Sequence, residues 1–289
     1  MNNFWKKTGW TCLTFLPLIV NVLIQIVMGA LFSTVFSVIG VMQGMDAIEA
    51  TEYVMEQLKN YGGILVLSCH VLFLIIFPLW YKFGCGKPRP KVVNPLPILT
   101  GKCLLVTVIL SFGLCLFAQA FVFLGTFVAP KAIENYMELV EAAGLGVDPF
   151  TILASVILAP IGEEIICRGI TFHYAKKVVA DMQNRRVAFW IANTLQALAF
   201  GIMHMNWVQG TYAFILGLGI GWLRERYNSL YPAILAHAIV NFTSTFLLEH
   251  ILAPVPETCP AAVILMVVSI TITAVAVVLE LKLGAKESA

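Results

Sequence analysis

Apolar residues run along this chain in long blocks, and the polar stretches between them are short and unevenly charged. The blocks fall at 10–42, 62–80, 103–128, 150–170, 187–205, 210–222, 230–248 and 261–281. About 20 apolar residues carry an α-helix across the hydrocarbon of a bilayer. With no water in that layer, backbone groups must bond within the segment, so each block reads as a helix. The expected fold is all-α: a polytopic transmembrane helical bundle of about eight spans, forming a single membrane domain over residues 1–289. The thirteen-residue block 210–222 is too short to cross on its own. Asp46, Glu49, Glu52 and Glu56 are spaced as on a short amphipathic helix between the first two blocks.

Composition narrows the class. The mean hydropathy is +0.88 and charged residues make up 12%, where a soluble domain carries about a quarter. Lys6 and Lys7 precede the first block, but that block far exceeds the ~7–15 apolar residues of a signal peptide, so it reads as a retained helix. The seven cysteines show no CxxC pairing and five lie in apolar runs, as small core residues do. His70, alone in the second block, reads as packed or hydrogen-bonded between helices. The sequence shows neither an internal repeat, nor a GxxxxGK[ST] loop, nor a basic patch, so no nucleic-acid partner is expected.

The distribution of charge sets an orientation. Of the 18 lysines and arginines, 15 flank alternate ends of the blocks, including Lys82, Lys87, Arg89, Lys91 and Lys102 in a proline-rich loop. Lys59 and Lys131 fall on the other side, and Arg168 lies within a block. The positive-inside rule then places both termini in the cytoplasm. The localisation expected is an integral, multi-pass protein of a prokaryotic plasma membrane.

The chemistry lies in the blocks that are not purely apolar. Glu163, Glu164 and Arg168 sit in the fourth, and an ionisable group at membrane depth is costly enough to suggest function. Adjacent helical residues point about 100° apart, so Glu163 and Glu164 are not expected to face one partner. Glu164 and Arg168 are i,i+4 neighbours suited to an ion pair, which leaves Glu163 to face the interior. A carboxylate there suits a general base acting on water. Pro160 and Gly162 should loosen this helix and free backbone groups. His204 shares a helix face with Phe200, and His237 with Asn241. On straight, fully spanning helices His204 would fall towards the far side, away from Glu163 and His237. Tilt, or a sixth segment that does not span, is needed to bring the three together.

Together, Glu163-Glu164-x-x-x-Arg168, Phe200-x-x-x-His204 and His237-x-x-x-Asn241 resemble the three-motif signature of the CAAX-protease and bacteriocin-processing family of intramembrane glutamic endopeptidases. Ser229-Leu230-Tyr231-Pro232 also resembles the family pattern. The resemblance covers a motif-bearing core of about 150–245. It implies a hydrolase that cuts membrane-associated or lipidated peptides. By that resemblance Glu163 activates water, His204 holds it, and His237 and Asn241 form the oxyanion hole. Glu164, Arg168 and Phe200 are implied to support the site or hold substrate. No cofactor is expected. The implied partners are a membrane peptide or protein substrate and the bilayer, and the oligomeric state is not legible. Other readings of the same residues stay open. One is a zinc-dependent membrane metallopeptidase, although HExxH spacing is absent. Another is a non-catalytic immunity or scaffold protein. A transporter ranks last, for want of repeat halves.

Overall fold

The structure, a computed structural model, describes residues 3–85, 100–142 and 148–287. Lys87, Arg89 and Lys91 of the basic loop lie outside the described residues. Among the described residues there are eleven helices: α1 (Asn3–Met42), α2 (Ala47–Asn60), α3 (Gly62–Gly84), α4 (Gly101–Val128) and α5 (Pro130–Ala142) in the first half. The second half comprises α6 (Pro149–Val178), α7 (Arg185–Met203), α8 (Trp207–Tyr227), α9 (Tyr231–Phe246), α10 (Leu248–Leu252) and α11 (Cys259–Glu287). The fold is a helical bundle with no strand among the described residues.

Six of these helices, α1, α3, α4, α6, α7 and α11, are long and apolar enough to cross a membrane. The count of eight is therefore approximate. The other two blocks form α8 and α9, of 21 and 16 residues. Helix α8 is eight residues longer than the apolar block 210–222, because Trp207, Val208 and Gln209 add a first turn and Leu223 to Tyr227 a last one. At about 1.5 Å per residue α9 is about 24 Å long, short of a ~30 Å hydrocarbon layer. The outer helices show apolar side chains to their surroundings: Ile19, Leu23, Ile26 and Val27 on α1, and Ile264 and Val267 on α11, are all exposed. In water such a surface would be a liability; in lipid it is solvated.

Helix ends gather by charge, as alternation requires. At one end Lys7 pairs with Asp181 at 2.8 Å, and Lys177 lies over Trp10. Tyr174 near the end of α6 donates to the Gly84 carbonyl at the end of α3. Glu280 on α11, 1% exposed, accepts from Arg226 at 2.6 Å and from Tyr227, with Lys102 at 3.5 Å. The helix α2 predicted from the acidic spacing is present and starts with a capping box between Asp46 and Glu49. All seven cysteines are free thiols, five of them buried.

Candidate functional site

Helix α6 carries the two carboxylates between two π-helical stretches, Ala154–Leu158 and Ile165–Thr171. Insertions of this kind are frequent at functional sites. Pro160 explains part of the first. In the π register the Ala159 N–H bonds to the Ala154 carbonyl, five residues back. The Ser155 carbonyl would next take the N–H of residue 160, and proline has none. Asn241 of α9 fills the gap, donating from Nδ2 to that carbonyl at 2.8 Å. A break in one helix thus becomes the anchor for a side chain of another.

Glu164 and Arg168 form the expected i,i+4 pair, at 2.8 Å, and both are fully buried. The guanidinium also donates to the Gly217 carbonyl of α8 at 3.3 Å and lies over the Phe200 ring, 4.3 Å from its centroid. Phe200 in turn meets His204 and His237 edge-on, at 4.9 and 5.6 Å between centroids. Phe200 is therefore a packing platform shared by the cation and two imidazoles.

His237 overturns one sequence expectation. It faces both carboxylates, with Nδ1 donating to Glu164 Oε1 at 2.9 Å and Nε2 standing 3.8 Å from Glu163 Oε2. The 100° between adjacent helical residues is bridged because imidazole offers nitrogens on two edges. His204 follows α7 as its cap, and its Nδ1 lies 2.8 Å from the Phe200 carbonyl. It interacts electrostatically with Glu163.

Glu163, His204 and His237 thus meet. The extra length of α6 and α8 reconciles this with their positions in sequence. From Arg224 near the end of α8 to Gly217 is roughly 10 Å at 1.5 Å per residue, and Gly217 is level with Arg168. The chain then reverses sharply at His204, Met205 and Asn206. Met205 has φ +52°, a left-handed conformation, and Asn206 caps α8 through the Gln209 N–H.

Helices α7 and α8 cross closely enough to hold that turn in place. A Cβ on Gly201 would come within 2.6 Å of the Gly210 carbonyl oxygen. Gln196 adds hydrogen bonds of 2.9 Å to Gly217 O and 2.8 Å to Asn193 Oδ1, and Asn193 donates to Leu218 O. Small residues and interhelical carboxamides are what fasten helices where lipid supplies no hydrophobic drive.

A cavity of about 390 Å³ opens beside Glu163. Glu163, His204 and Gln209 line it from one side, and Asn21, Gln25 and His70 from α1 and α3. His237, which faces Glu163 from α9, and Asn241 are not among the lining residues. His70, expected to pack or to bond between helices, reaches from α3 to α6, where its Nε2 lies 3.9 Å from Glu163 Oε1. Sequence reasoning missed the place of His70 beside Glu163, of Asn21 and Gln25 (paired within α1) in the cavity wall, and of Gln196 against Gly217 of α8, because only the packing of helices brings them there. Among the described residues, no group of three or more His, Cys, Asp or Glu is arranged to hold a metal ion.

With the geometry in hand, comparison with known proteins adds one finding. The family model of the type II CAAX prenyl endopeptidases, Rce1-like, matches residues 146–243. No curated protein and no solved structure matches the chain. The matched stretch holds Glu163, Glu164, Arg168, Phe200, His204, His237 and Asn241; α1 to α5, α10 and α11 lie outside it.

Proposed function

We propose that this chain, whose residues 146–243 are a domain of the Rce1-like type II CAAX prenyl endopeptidase family, is an intramembrane endopeptidase that uses Glu163 as the base on water. The observation that carries this reading is the convergence of His204 and His237 on one carboxylate, which itself borders a cavity. Glu163 takes a proton from water as the hydroxide adds to the scissile carbonyl. His204 holds that water. His237 and Asn241 donate to the oxyanion, and Glu163 returns its proton to the leaving amine. Asn241 presents two N–H donors, one of them anchored on Ser155. Glu164, itself paired with Arg168, holds the ring of His237 by accepting from Nδ1, much as buried carboxylates orient catalytic histidines elsewhere.

The cavity and its setting support a reading of the substrate class. The wall is mixed, with the carboxamides of Asn21, Gln25 and Gln209 beside Leu65, Val66 and Phe73. That suits an extended peptide held close to lipid, and a prenylated C-terminal peptide meets both requirements.

The test is turnover by purified protein on paired peptides that differ only in prenylation. Glu163→Gln, His204→Ala and His237→Ala should each lower kcat by at least about 10²-fold, with insertion and yield unchanged. Preferential cleavage of the prenylated peptide supports the substrate class. Full turnover by any of the three variants removes that residue from the mechanism.

A further inference from the structure

We propose that His70 is the positioning residue of the proposed general base: from α3 it fixes the orientation of the Glu163 carboxylate beside the cavity. The inference rests on the reading of Glu163 given above, and concerns a helix outside the family-matched stretch. Three observations carry it.

The first is the division of the carboxylate. Oε1 faces His70 Nε2 at 3.9 Å and Oε2 faces His237 Nε2 at 3.8 Å. Each oxygen thus has an imidazole of its own, and the carboxylate is flanked on both sides. A general base loses efficiency when it can rotate away from the proton it must take, so a contact that fixes the plane of the carboxylate has a catalytic effect. Both distances exceed a direct hydrogen bond, and catalytic contacts commonly tighten when substrate binds.

The second is how the ring is held. His70 Nδ1 lies 2.9 Å from the Val66 carbonyl of its own helix, and the ring meets Phe73 edge-on at 5.4 Å. The rotamer is therefore pinned from below and from one side, with Nε2 aimed at Glu163. Both nitrogens then oppose acceptors, a carbonyl and a carboxylate. The ring serves both at once only as an imidazolium.

The third is local charge. Glu163, Glu164 and Arg168 stand together at membrane depth, and two carboxylates with one guanidinium leave one negative charge unbalanced. A cation on α3 offsets it. Glu163 on α6 and His204 on α7 share the cavity with His70, and α1 contributes only the carboxamides of Asn21 and Gln25, joined to each other at 2.8 Å. His237 lies beyond Glu163.

The experiment compares His70→Phe with His70→Gln and Glu163→Gln on a prenylated peptide. Phenylalanine fills the ring's space beside Phe73 and offers no donor. Glutamine reaches towards Glu163 with an N–H. We expect His70→Phe to lower kcat by about 10²-fold with KM within about twofold, and His70→Gln to recover about tenfold of that loss. A residue that only packs would be replaced well by phenylalanine, so wild-type kcat in His70→Phe overturns the inference. If Glu163→Gln is inactive while His70→Phe is fully active, the glutamate reading stands and only this one falls. A second measurement is independent of turnover. Thermal unfolding of the single variants His70→Phe and Glu163→Gln and of their double should show non-additive shifts in Tm. Strictly additive shifts would mean the two side chains do not interact, and would overturn the proposal.

Discussion

At the scale of single residues, the site turns on side chains that each serve two neighbours. Glu164 Oε1 receives both Arg168 and His237. Removing the cation leaves that carboxylate fully buried with one partner lost. Breaking a buried pair costs about 3–5 kcal/mol, so Arg168→Leu should lower the yield of inserted protein and its Tm, and also kcat, since His237 is oriented through Glu164. Equal Tm in the variant and the parent would contradict this account of the pair. Asn241→Ala should reduce kcat about 10²–10³-fold, as loss of an oxyanion donor does, measured under saturating substrate. The i,i+4 relations were legible in sequence, because helical periodicity alone places Arg168 beside Glu164 and His204 beside Phe200. The wider shell was not. His70 reads as one histidine in an apolar run, and only the packing of α3 against α6 turns it towards Glu163. His237 bridging both carboxylates was likewise hidden, since periodicity describes one helix and says nothing of a ring approaching from another.

At the scale of elements, two irregularities make the site. In α6, the π turn and Pro160 together leave the Ser155 carbonyl to Asn241. Pro160→Ala restores the missing N–H, which then competes for that carbonyl and releases the Asn241 side chain. Small displacements of a catalytic group are costly, so kcat should fall by about tenfold or more while Tm holds or rises. Unchanged kcat would separate the helix break from the chemistry. The loosening of α6 was readable from Pro160 and Gly162, but its form was not, because a π turn depends on a partner for the displaced carbonyl. In the α7–α8 pair, Gly201 and Gly210 meet backbone to backbone. Gly201→Val would drive the helices apart at the turn that holds His204. Overpacking of this kind costs about 1–3 kcal/mol, and circular dichroism melts in detergent should show the lower Tm. The length of α8 escaped the hydropathy pattern because its end turn is charged, with Arg224, Glu225 and Arg226, and still helical.

At the scale of the whole molecule, the bundle is an integral membrane protein with a polar centre in an apolar shell. The positions of all eight blocks follow from apolar length, and each corresponds to a helix. Their division into six spans and two other helices follows from length and apolarity: α8, at 21 residues, is too polar, with Arg224, Glu225 and Arg226 in its last turn, and α9, at 16 residues, is too short. Where helix ends meet, Glu280 of α11 binds Arg226 and Tyr227 of α8 beside Lys102 of α4. Glu280→Gln should therefore loosen α11 and lower Tm, with turnover per folded molecule unchanged, because this cluster lies away from Glu163.

The account's central claim is that Glu163 acts directly on water. The measurement that tests it most directly is cleavage of a prenylated peptide by purified wild type and Glu163→Gln, before and after exhaustive chelation, with metal content assayed alongside. Cleavage that survives chelation in the wild type and is absent in Glu163→Gln is the result predicted. Cleavage that disappears with the metal and returns on adding zinc would contradict it, and would make Glu163, His204 and His237 ligands instead.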